Sequence, residues 1–151
     1  MALIMAWPWT VNAKTPTLAA FSIIDDKEVN IMSEAEFPAV VMFWDSTCAP
    51  CRVEMKRVQT AINRGAIPAG RVLAVNIGEA KGAVERFARQ ADFQFQYFAE
   101  PKKEDLEQLG PISGTPSLLY IDAAKSVRWR SAGVDPELEN RSRKLFGEKS
   151  K

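Results

Sequence analysis

Residues 38–55 read PAVVMFWDSTCAPCRVEM, and this stretch decides the fold. Its first seven residues are an uninterrupted apolar run, which is typical of a central strand covered on both faces. Apolar side chains then recur at helical spacing at Cys51, Met55, Val58 and Ile62, with charged residues between them, and predict an amphipathic helix. The two cysteines of the stretch therefore lie where a buried strand passes into a helix.

Strand and helix patterns continue on both sides of this stretch. Residues 21–24 and 29–31 flank Asp25-Asp26-Lys27 and predict an amino-terminal hairpin. The remaining patterns predict, in order, a strand at 72–77, a helix around 84–91, a short helix at 104–109, a hairpin of 117–121 with 127–131, and a helix from Asp135 to about Phe146. The order ββ–β–α–β–α–ββ–α indicates an α/β domain with a central mixed sheet of about four or five strands, flanked by helices.

The composition is that of an ordinary globular domain. The 151 residues, 46% of them hydrophobic and 26% charged, suffice for one domain with its own core. The net charge of +1 gives no electrostatic reason to bind nucleic acid or an anionic membrane. Histidine, the commonest metal ligand and general base, is absent, and two cysteines are too few for a disulfide-rich secreted module. No run of about 20 apolar residues occurs, so we expect no membrane span.

The first 20 residues differ in character from the rest. The run MALIMAWPW is apolar enough for the core of a signal peptide, and Val11-Asn12-Ala13 suits a cleavage site. However, no Lys or Arg precedes the run, and Pro8 interrupts it. The sequence thus predicts three segments: residues 1–20 as a signal remnant or an extra strand, residues 21–147 as one domain, and residues 148–151 as a frayed tail.

The spacing of Cys48 and Cys51 favours redox chemistry. A thiolate is the reactive form of cysteine, and the amino end of a helix lowers a thiol pKa through its unpaired N–H groups and its dipole. One sulfur at that end can attack a partner's disulfide, and the other, one turn later, can resolve the mixed disulfide. A zinc site would need two further ligands, and a structural disulfide across so short a loop would stabilise little.

The stretch VVMFWDSTCAPCRVEM resembles the active-site segment of thioredoxin-fold proteins: an apolar strand, Phe-Trp, three residues, then Cys-x-Pro-Cys. Gly114-Thr115-Pro116, followed by the strand SLLYID, resembles the cis-proline loop of these proteins. The resemblance implies a thioredoxin fold with a cis peptide before Pro116. It also implies that this loop lies against the dithiol and that Thr115 offers its backbone to an extended partner peptide.

Within the superfamily, the sequence is most similar to the TlpA/ResA group of exported thiol-disulfide oxidoreductases. The similarity covers residues 21–146 and rests on FSIIDDKEVNI at 21–31, CRVEM at 51–55, the helix-then-strand region that ends in FQYFAEP at 95–101, and the Gly-Thr before the proline. It implies a periplasmic or extracytoplasmic protein, with the cytoplasm as the alternative.

The resemblance also assigns roles to individual residues. It implies that Cys48 attacks, Cys51 resolves and Glu54 assists proton transfer. The groove for the substrate would be formed by Trp44, Pro50, Thr115 and Pro116. The implied partners are protein dithiols or disulfides and a membrane or soluble thiol reductant, with reduction as the favoured direction. No organic cofactor, metal or nucleic acid is implied, and we expect a monomer.

Three residues depart from the pattern of the superfamily. Met42 stands where ordinary thioredoxins have a buried Asp, which leaves Glu54 as the acid for the resolving cysteine. Thr47 replaces the usual Trp before the first cysteine and should open the rim of the site. Lys56 replaces a frequent helix proline, so the kink that this proline causes is not expected here.

Two other functions use the same features. A thioredoxin-like binding or chaperone module would use the groove without turnover, and a copper-handling protein would hold Cu(I) with the two thiolates. We expect Met42 and Met55 to face the core, which disfavours copper. Arg128-Trp129-Arg130 mixes basic and aromatic residues as nucleic-acid readers do, but on a strand both arginines face outward.

Overall fold

The structure, a computed structural model, describes residues 15–147. Its elements are β1 (Ala19–Ser22), β2 (Lys27–Asn30), α1 (Ile31–Glu34), β3 (Ala39–Trp44), α2 (Ala49–Asn63), β4 (Val72–Asn76), α3 (Lys81–Gln90), β5 (Gln96–Ala99), α4 (Lys103–Gln108), β6 (Ser117–Ile121), β7 (Val127–Ala132) and α5 (Leu138–Phe146). None of the helices in this part of the chain has the length and apolar character needed to cross a membrane.

All seven strands belong to one mixed sheet in the order β2-β1-β5-β4-β3-β6-β7. The β3–β4 and β4–β5 pairs are parallel, and the other pairs are antiparallel. The expectation of four or five strands was wrong, because β1 pairs with β5 through Phe21 opposite Ala99 and Ser22 opposite Phe98. The amino-terminal hairpin thereby extends the central sheet.

The strand β3 lies inside this sheet, and all six of its residues are buried, as its apolar run predicted. Its side chains alternate between two cores. Val40, Met42 and Trp44 face the core that also holds residues of α2, α3 and α5, whereas Val41 and Phe43 face the core that holds residues of α1. Each fully buried side chain of this size stabilises the fold by about 1.5–3 kcal/mol, so the strand that precedes the cysteines is firmly held.

The predicted hairpin is present, but its strands lie earlier than expected. Ser22 ends β1, and Ile24 is 81% exposed in the turn. The turn is held by Ser22 Oγ, which donates to Asp25 Oδ2 (3.1 Å) and accepts the Asp25 N–H (3.2 Å). Ile31 begins a short helix instead of ending a strand, because Asn30 Oδ1 caps it by accepting the Met32 N–H.

The last helix begins at Leu138, three residues after the predicted start. Asp135 still organises the entry into the helix, since its Oδ1 accepts the Glu137 N–H (2.9 Å). Its side chain is buried, at 2% exposure, and this burial was not predicted. The predicted signal remnant up to residue 14 and the tail at 148–151 lie outside the described residues, whereas Ala19 and Ala20 belong to β1.

A bulge in β7 changes how its apolar residues face. Trp129 pairs with Tyr120 and Val127 pairs with Ile121, which leaves Arg128 as the extra residue. Val127 and Trp129 consequently pack inward against different cores. Arg128 and Arg130 are exposed, as expected.

Candidate dithiol active site

The two cysteines lie at the amino end of α2, directly after the buried strand β3. Cys48 is the cap residue of the helix, and Cys51 lies in its first turn. Their sulfurs are 2.31 Å apart, at bonding distance, and their Cα atoms are 5.2 Å apart. The Cys51 N–H donates to Cys48 Sγ at 3.1 Å. A donor in this position stabilises negative charge on Cys48 when the pair is reduced.

The two sulfurs differ in how far solvent reaches them. Cys48 is partly exposed, whereas Cys51 is fully buried at 0% exposure. Cys51 belongs to the core shared by α2 and β3, and Cys48 packs against the rim of that core. A partner protein can therefore approach Cys48 from outside but cannot reach Cys51 directly.

The loop before β6 lies beside the dithiol loop, which we define as residues 45–48 between β3 and α2. The Thr115–Pro116 peptide is cis, as the resemblance implied. Pro116 is buried, Thr115 is partly exposed, and Ser117, the first residue of β6, pairs with Phe43 near the end of β3. Thr115 Oγ1 donates to Asp45 Oδ2 at 3.0 Å, so this loop contacts the residue three positions before Cys48.

Two carboxylates organise the dithiol loop, and the sequence analysis identified neither. Asp45 Oδ1 accepts the N–H of Thr47 (3.0 Å) and its hydroxyl (2.7 Å). Glu79, just after β4, accepts the N–H of Ser46 (2.5 Å) and its hydroxyl (2.7 Å), together with the Asn76 side-chain amide. Burial alone would raise the pKa of Glu79, but these hydrogen bonds lower it overall, so Glu79 is ionised at neutral pH.

Glu54 lies one turn beyond Cys51 and is fully buried, at 0% exposure. Its carboxylate accepts the Asp135 N–H at 2.5 Å and a guanidinium N–H of Arg57 at 2.7 Å. Burial raises the pKa of Glu54, although the contacts with Asp135 and Arg57 oppose part of that rise. Glu54 is thus not a solvated carboxylate on the surface of the helix.

A polar cluster surrounds Glu54 in the core and was missed from the sequence. The Asp135 carboxylate accepts the Tyr120 hydroxyl at 2.6 Å and pairs with Arg141 at 3.0 Å. Arg57 also donates to the Asp135 carbonyl oxygen at 2.7 Å. Burial, followed by the Asp135 contact, raises the pKa of Tyr120 far above its ordinary value, so its hydroxyl stays protonated. A tyrosine at an inward position of the apolar strand SLLYI was the one available signal that a buried partner exists.

The other predicted groove residues occupy different depths. Pro50 is exposed in the first turn of α2. Trp44 is 1% exposed and packs against Phe87, with ring centroids 4.5 Å apart, so its contacts are those of a core side chain. A role for Trp44 toward substrate stays a prediction, and so do the catalytic roles of Cys48 and Glu54.

The residues that depart from the superfamily pattern lie around the same helix. Met42 and Met55 are both fully buried in the core, as expected. Thr47 is exposed at the rim beside Cys48, and α2 continues through Lys56 to Asn63. Across residues 15–147, His, Cys, Asp and Glu side chains form no group of three or more that could hold a metal ion.

Comparison with solved structures shows the same fold in several redox proteins. A Chlorobium tepidum protein assigned as the thiol:disulfide interchange protein DsbE matches with a TM-score of 0.68 and 24% identity, over 88% of this chain and 95% of its own. A second thiol:disulfide interchange protein of the thioredoxin family, from Chlorobium tepidum TLS, matches with a TM-score of 0.70 and 18% identity, over 88% and 95%. StoA from Bacillus subtilis matches with a TM-score of 0.63 and 17% identity, over 84% and 97%. These matches confirm the thioredoxin fold.

Comparison at the level of sequence gives the family. No curated protein is similar enough to match. Residues 11–130, which include both cysteines, Glu54 and the cis-proline loop, match the AhpC/TSA family. With this match over most of its length and a thioredoxin fold around Cys48 and Cys51, the chain belongs to the AhpC/TSA family.

Proposed function

We propose that this protein is a thiol-disulfide oxidoreductase that exchanges disulfides with protein substrates through Cys48 and Cys51, and that it acts as a reductant. The observation that carries the proposal is the placement of the two cysteines. The partly exposed Cys48 caps α2, and its sulfur is bonded to the fully buried sulfur of Cys51 in the first turn of this helix. The names of the structural neighbours, which include thiol:disulfide interchange proteins, support it.

The reaction consists of two exchange steps. The Cys48 thiolate attacks one sulfur of the partner's disulfide, and the other partner sulfur leaves as a thiolate that takes up a proton. The Cys51 thiolate then attacks the Cys48 sulfur of the mixed disulfide and releases the second partner thiolate, which is also protonated. Two electrons pass to the partner, and the Cys48–Cys51 disulfide remains. A second thiol reductant restores the dithiol by the reverse exchange.

Glu54 is proposed to receive the proton that Cys51 loses before it attacks. A carboxyl group exchanges protons best when its pKa lies near the working pH, and burial raises the pKa of Glu54 in that direction. Its position one turn beyond Cys51 on the same side of α2 supports this role.

The partner peptide is proposed to bind in extended form along Thr115. The cis peptide before Pro116 turns the backbone of this loop, and the contact with Asp45 holds it beside the dithiol loop. We further propose that the protein acts outside the cytoplasm, as a monomer that a membrane or soluble thiol reductant reduces again. The resemblance to exported oxidoreductases supports this.

Insulin reduction in the presence of dithiothreitol tests the proposal. The wild-type protein should accelerate the reaction, Cys48→Ser should reduce the rate to background, and Cys51→Ser should accumulate a mixed disulfide that survives non-reducing electrophoresis. Glu85→Ala, at an exposed position of α3, is the matched control and should retain full activity. Full activity in Cys48→Ser, or no acceleration by the wild type, would exclude this function.

The direction of exchange needs a separate measurement. Equilibration of the protein with a reference thiol couple should give a reduction potential nearer the value of about −270 mV for thioredoxin than the value of about −120 mV for a strong oxidant. A potential near the oxidant value would reverse the proposed direction and leave the exchange chemistry in place. Titration of the reduced protein with Cu(I) distinguishes the copper alternative, which predicts tight binding without insulin reduction.

A further inference from the structure

The carboxylate of Asp45 joins two segments of the site that the sheet does not join. The β3–β6 ladder ends where Phe43 pairs with Ser117. Asp45 and Thr115 lie two residues beyond that pair, one on each strand's extension, where no further ladder pair forms. Asp45 Oδ2 accepts the Thr115 hydroxyl at 3.0 Å, while Oδ1 accepts both the N–H and the hydroxyl of Thr47. One side chain thus links the dithiol loop to the cis-proline loop.

This carboxylate is also charged. Hydrogen bonds from the Thr47 side chain, from Thr115 and from the amides of Thr47 and Cys48 lower the pKa of Asp45 despite its partial burial. Asp45 is therefore ionised at neutral pH, and its charge is held in place by the same hydrogen bonds.

The charged side chains that are hydrogen-bonded to the dithiol loop carry a net negative charge. Asp45 and Glu79 both hold the dithiol loop, the first through Thr47 and the second through Ser46. A side chain of opposite charge also contacts this loop: the Arg52 guanidinium donates to the Ser46 carbonyl oxygen at 3.1 Å. Two carboxylates against one guanidinium oppose the positive end of the helix dipole, which otherwise favours a thiolate at this position.

We propose that Asp45 is a positioning residue of the dithiol site, which fixes Thr115 beside the dithiol loop and disfavours the Cys48 thiolate through its charge. The first effect prepares the groove before a partner peptide arrives, so that less ordering is needed on binding. The second effect makes the dithiol a stronger reductant, because a less stable thiolate raises the free energy of the reduced form. The part that concerns partner binding rests on the proposed function, whereas the part that concerns the thiol does not.

Alkylation of the reduced protein as a function of pH tests the effect of charge. The rate at Cys48, located by mass spectrometry of the labelled peptide, should reach half its maximum about half to one pH unit lower in Asp45→Asn than in the wild type. Asparagine keeps an acceptor for Thr47 and offers a donor to the Thr115 hydroxyl, so it removes the charge and retains the link. If the asparagine variant does not fold, Asp45→Ser removes the charge together with the link, and its difference from Thr115→Val, which removes the link alone, isolates the effect of the charge.

Thr115→Val is the matched variant, because it removes the link and retains the charge. Its midpoint of alkylation should remain within about 0.2 pH units of the wild type. An unchanged midpoint in Asp45→Asn, or an equal shift in both variants, would overturn the electrostatic effect. This measurement requires no turnover, so its outcome does not depend on whether the protein reduces disulfides.

The effect on the groove is tested by steady-state kinetics with a peptide disulfide. Thr115→Val should raise KM several-fold with a smaller change in kcat, and Asp45→Asn should raise KM less than Thr115→Val does. Thr115→Ser, which restores the hydroxyl, should recover most of the loss. A KM in Thr115→Val equal to that of the wild type would overturn the positioning effect. Absence of turnover in the wild type would instead refute the proposed function and leave the alkylation result standing.

Discussion

Two carboxylates lie three residues outside the dithiol on either side, and they occupy opposite environments. Asp45, three residues before Cys48, is partly exposed and receives hydrogen bonds from Thr47 and Thr115, which lower its pKa. Glu54, three residues after Cys51, is fully buried, and burial raises its pKa despite the contacts with Asp135 and Arg57.

The difference shows that the same functional group meets two opposite environments, each three residues from a cysteine. At the loop, donors surround the carboxylate and keep it ionised, so it contributes a constant charge. In the core, loss of water is the dominant effect, so Glu54 gains or loses its proton nearer neutral pH. In enzymes that use one carboxyl group for proton transfer and another as a fixed charge, different environments give the two groups different pKa values.

The largest effect should come from the buried side. Asp135→Ala removes the acceptor of the Tyr120 hydroxyl, the partner of Arg141 and the acceptor of the Glu137 N–H, and leaves the Tyr120 hydroxyl buried without a partner. We expect the free energy of unfolding to fall by about 3 kcal/mol. Urea denaturation of both proteins measures the change.

Removal of the Asp45 carboxylate in the dithiol loop should lower the free energy of unfolding by less. Asp45→Ala exposes the Thr47 and Thr115 donors to water, so a loss of about 1 kcal/mol is expected from the same measurement. Glu85→Ala, which breaks an exposed ion pair with Arg89, should cost less than about 0.5 kcal/mol. Equal losses in Asp135→Ala and Asp45→Ala would contradict the contrast between the two sides.

The second prediction concerns the thiols. Glu54→Gln keeps the shape of the side chain and removes its negative charge, so thiolate formation at the dithiol should become easier. The pH midpoint of alkylation should fall by about half a unit, and the pH dependence of turnover should change with it. Because the groups are coupled, the titration reports the site as a whole. If both profiles stay as in the wild type, Glu54 takes no part in the proton transfer.

The third prediction concerns stability against pH. A carboxyl group whose pKa is raised on folding binds more protons in the folded state than in the unfolded state. Its contribution to stability is therefore fully present below the ordinary value of 4.5 and is lost as the pH rises through the folded pKa. The stability of the wild type relative to Glu54→Gln should decline over that interval, by less than the loss in Asp135→Ala. A difference in the free energy of unfolding that does not vary with pH would show that burial does not raise the pKa of Glu54.

Among the residues of the site, Glu79→Gln should have the smallest effect. Glutamine can still accept the Ser46 N–H and donate to the Ser46 hydroxyl, so only the charge-assisted part of these hydrogen bonds is lost. The free energy of unfolding should fall by about 0.5 kcal/mol. A loss above that of Asp45→Ala would mean that Glu79, and not Asp45, is the main support of the dithiol loop.

Most of the fold could be read from the sequence because its patterns are local. The apolar run of β3 and the spacing of Cys51, Met55 and Val58 predicted the strand and the helix that carry the dithiol. The number of strands could not be read in this way, since the pairing of β1 with β5 joins residues far apart in the chain. The hairpin was placed too late because Ile23 and Ile24 have strand-like side chains, whereas the hydrogen bonds between Ser22 and Asp25 place both isoleucines inside the turn.

The site was predicted where a motif carried it and missed where only tertiary contacts do. The cysteine spacing and the sequence Gly-Thr-Pro indicated the dithiol and the cis peptide at Thr115–Pro116. Asp45 gave no sign of its link to Thr115, because 70 residues separate the two. The sequence placed Asp135 only at the start of the last helix, because no local pattern indicates that Tyr120 and Arg141 both contact its carboxylate.

The two edge strands of the sheet affect where an extended substrate chain could bind to the protein. An oxidoreductase of the proposed kind encounters extended chains that are able to add to any open strand. The edge strand β2 carries exposed Lys27 and Glu28, and the opposite edge strand β7 carries exposed Arg128 and Arg130, with a bulge at Arg128. Charges and bulges at edges disfavour the addition of a further strand. For the proposed function, this means that addition of an extended substrate chain at either edge of the sheet is disfavoured.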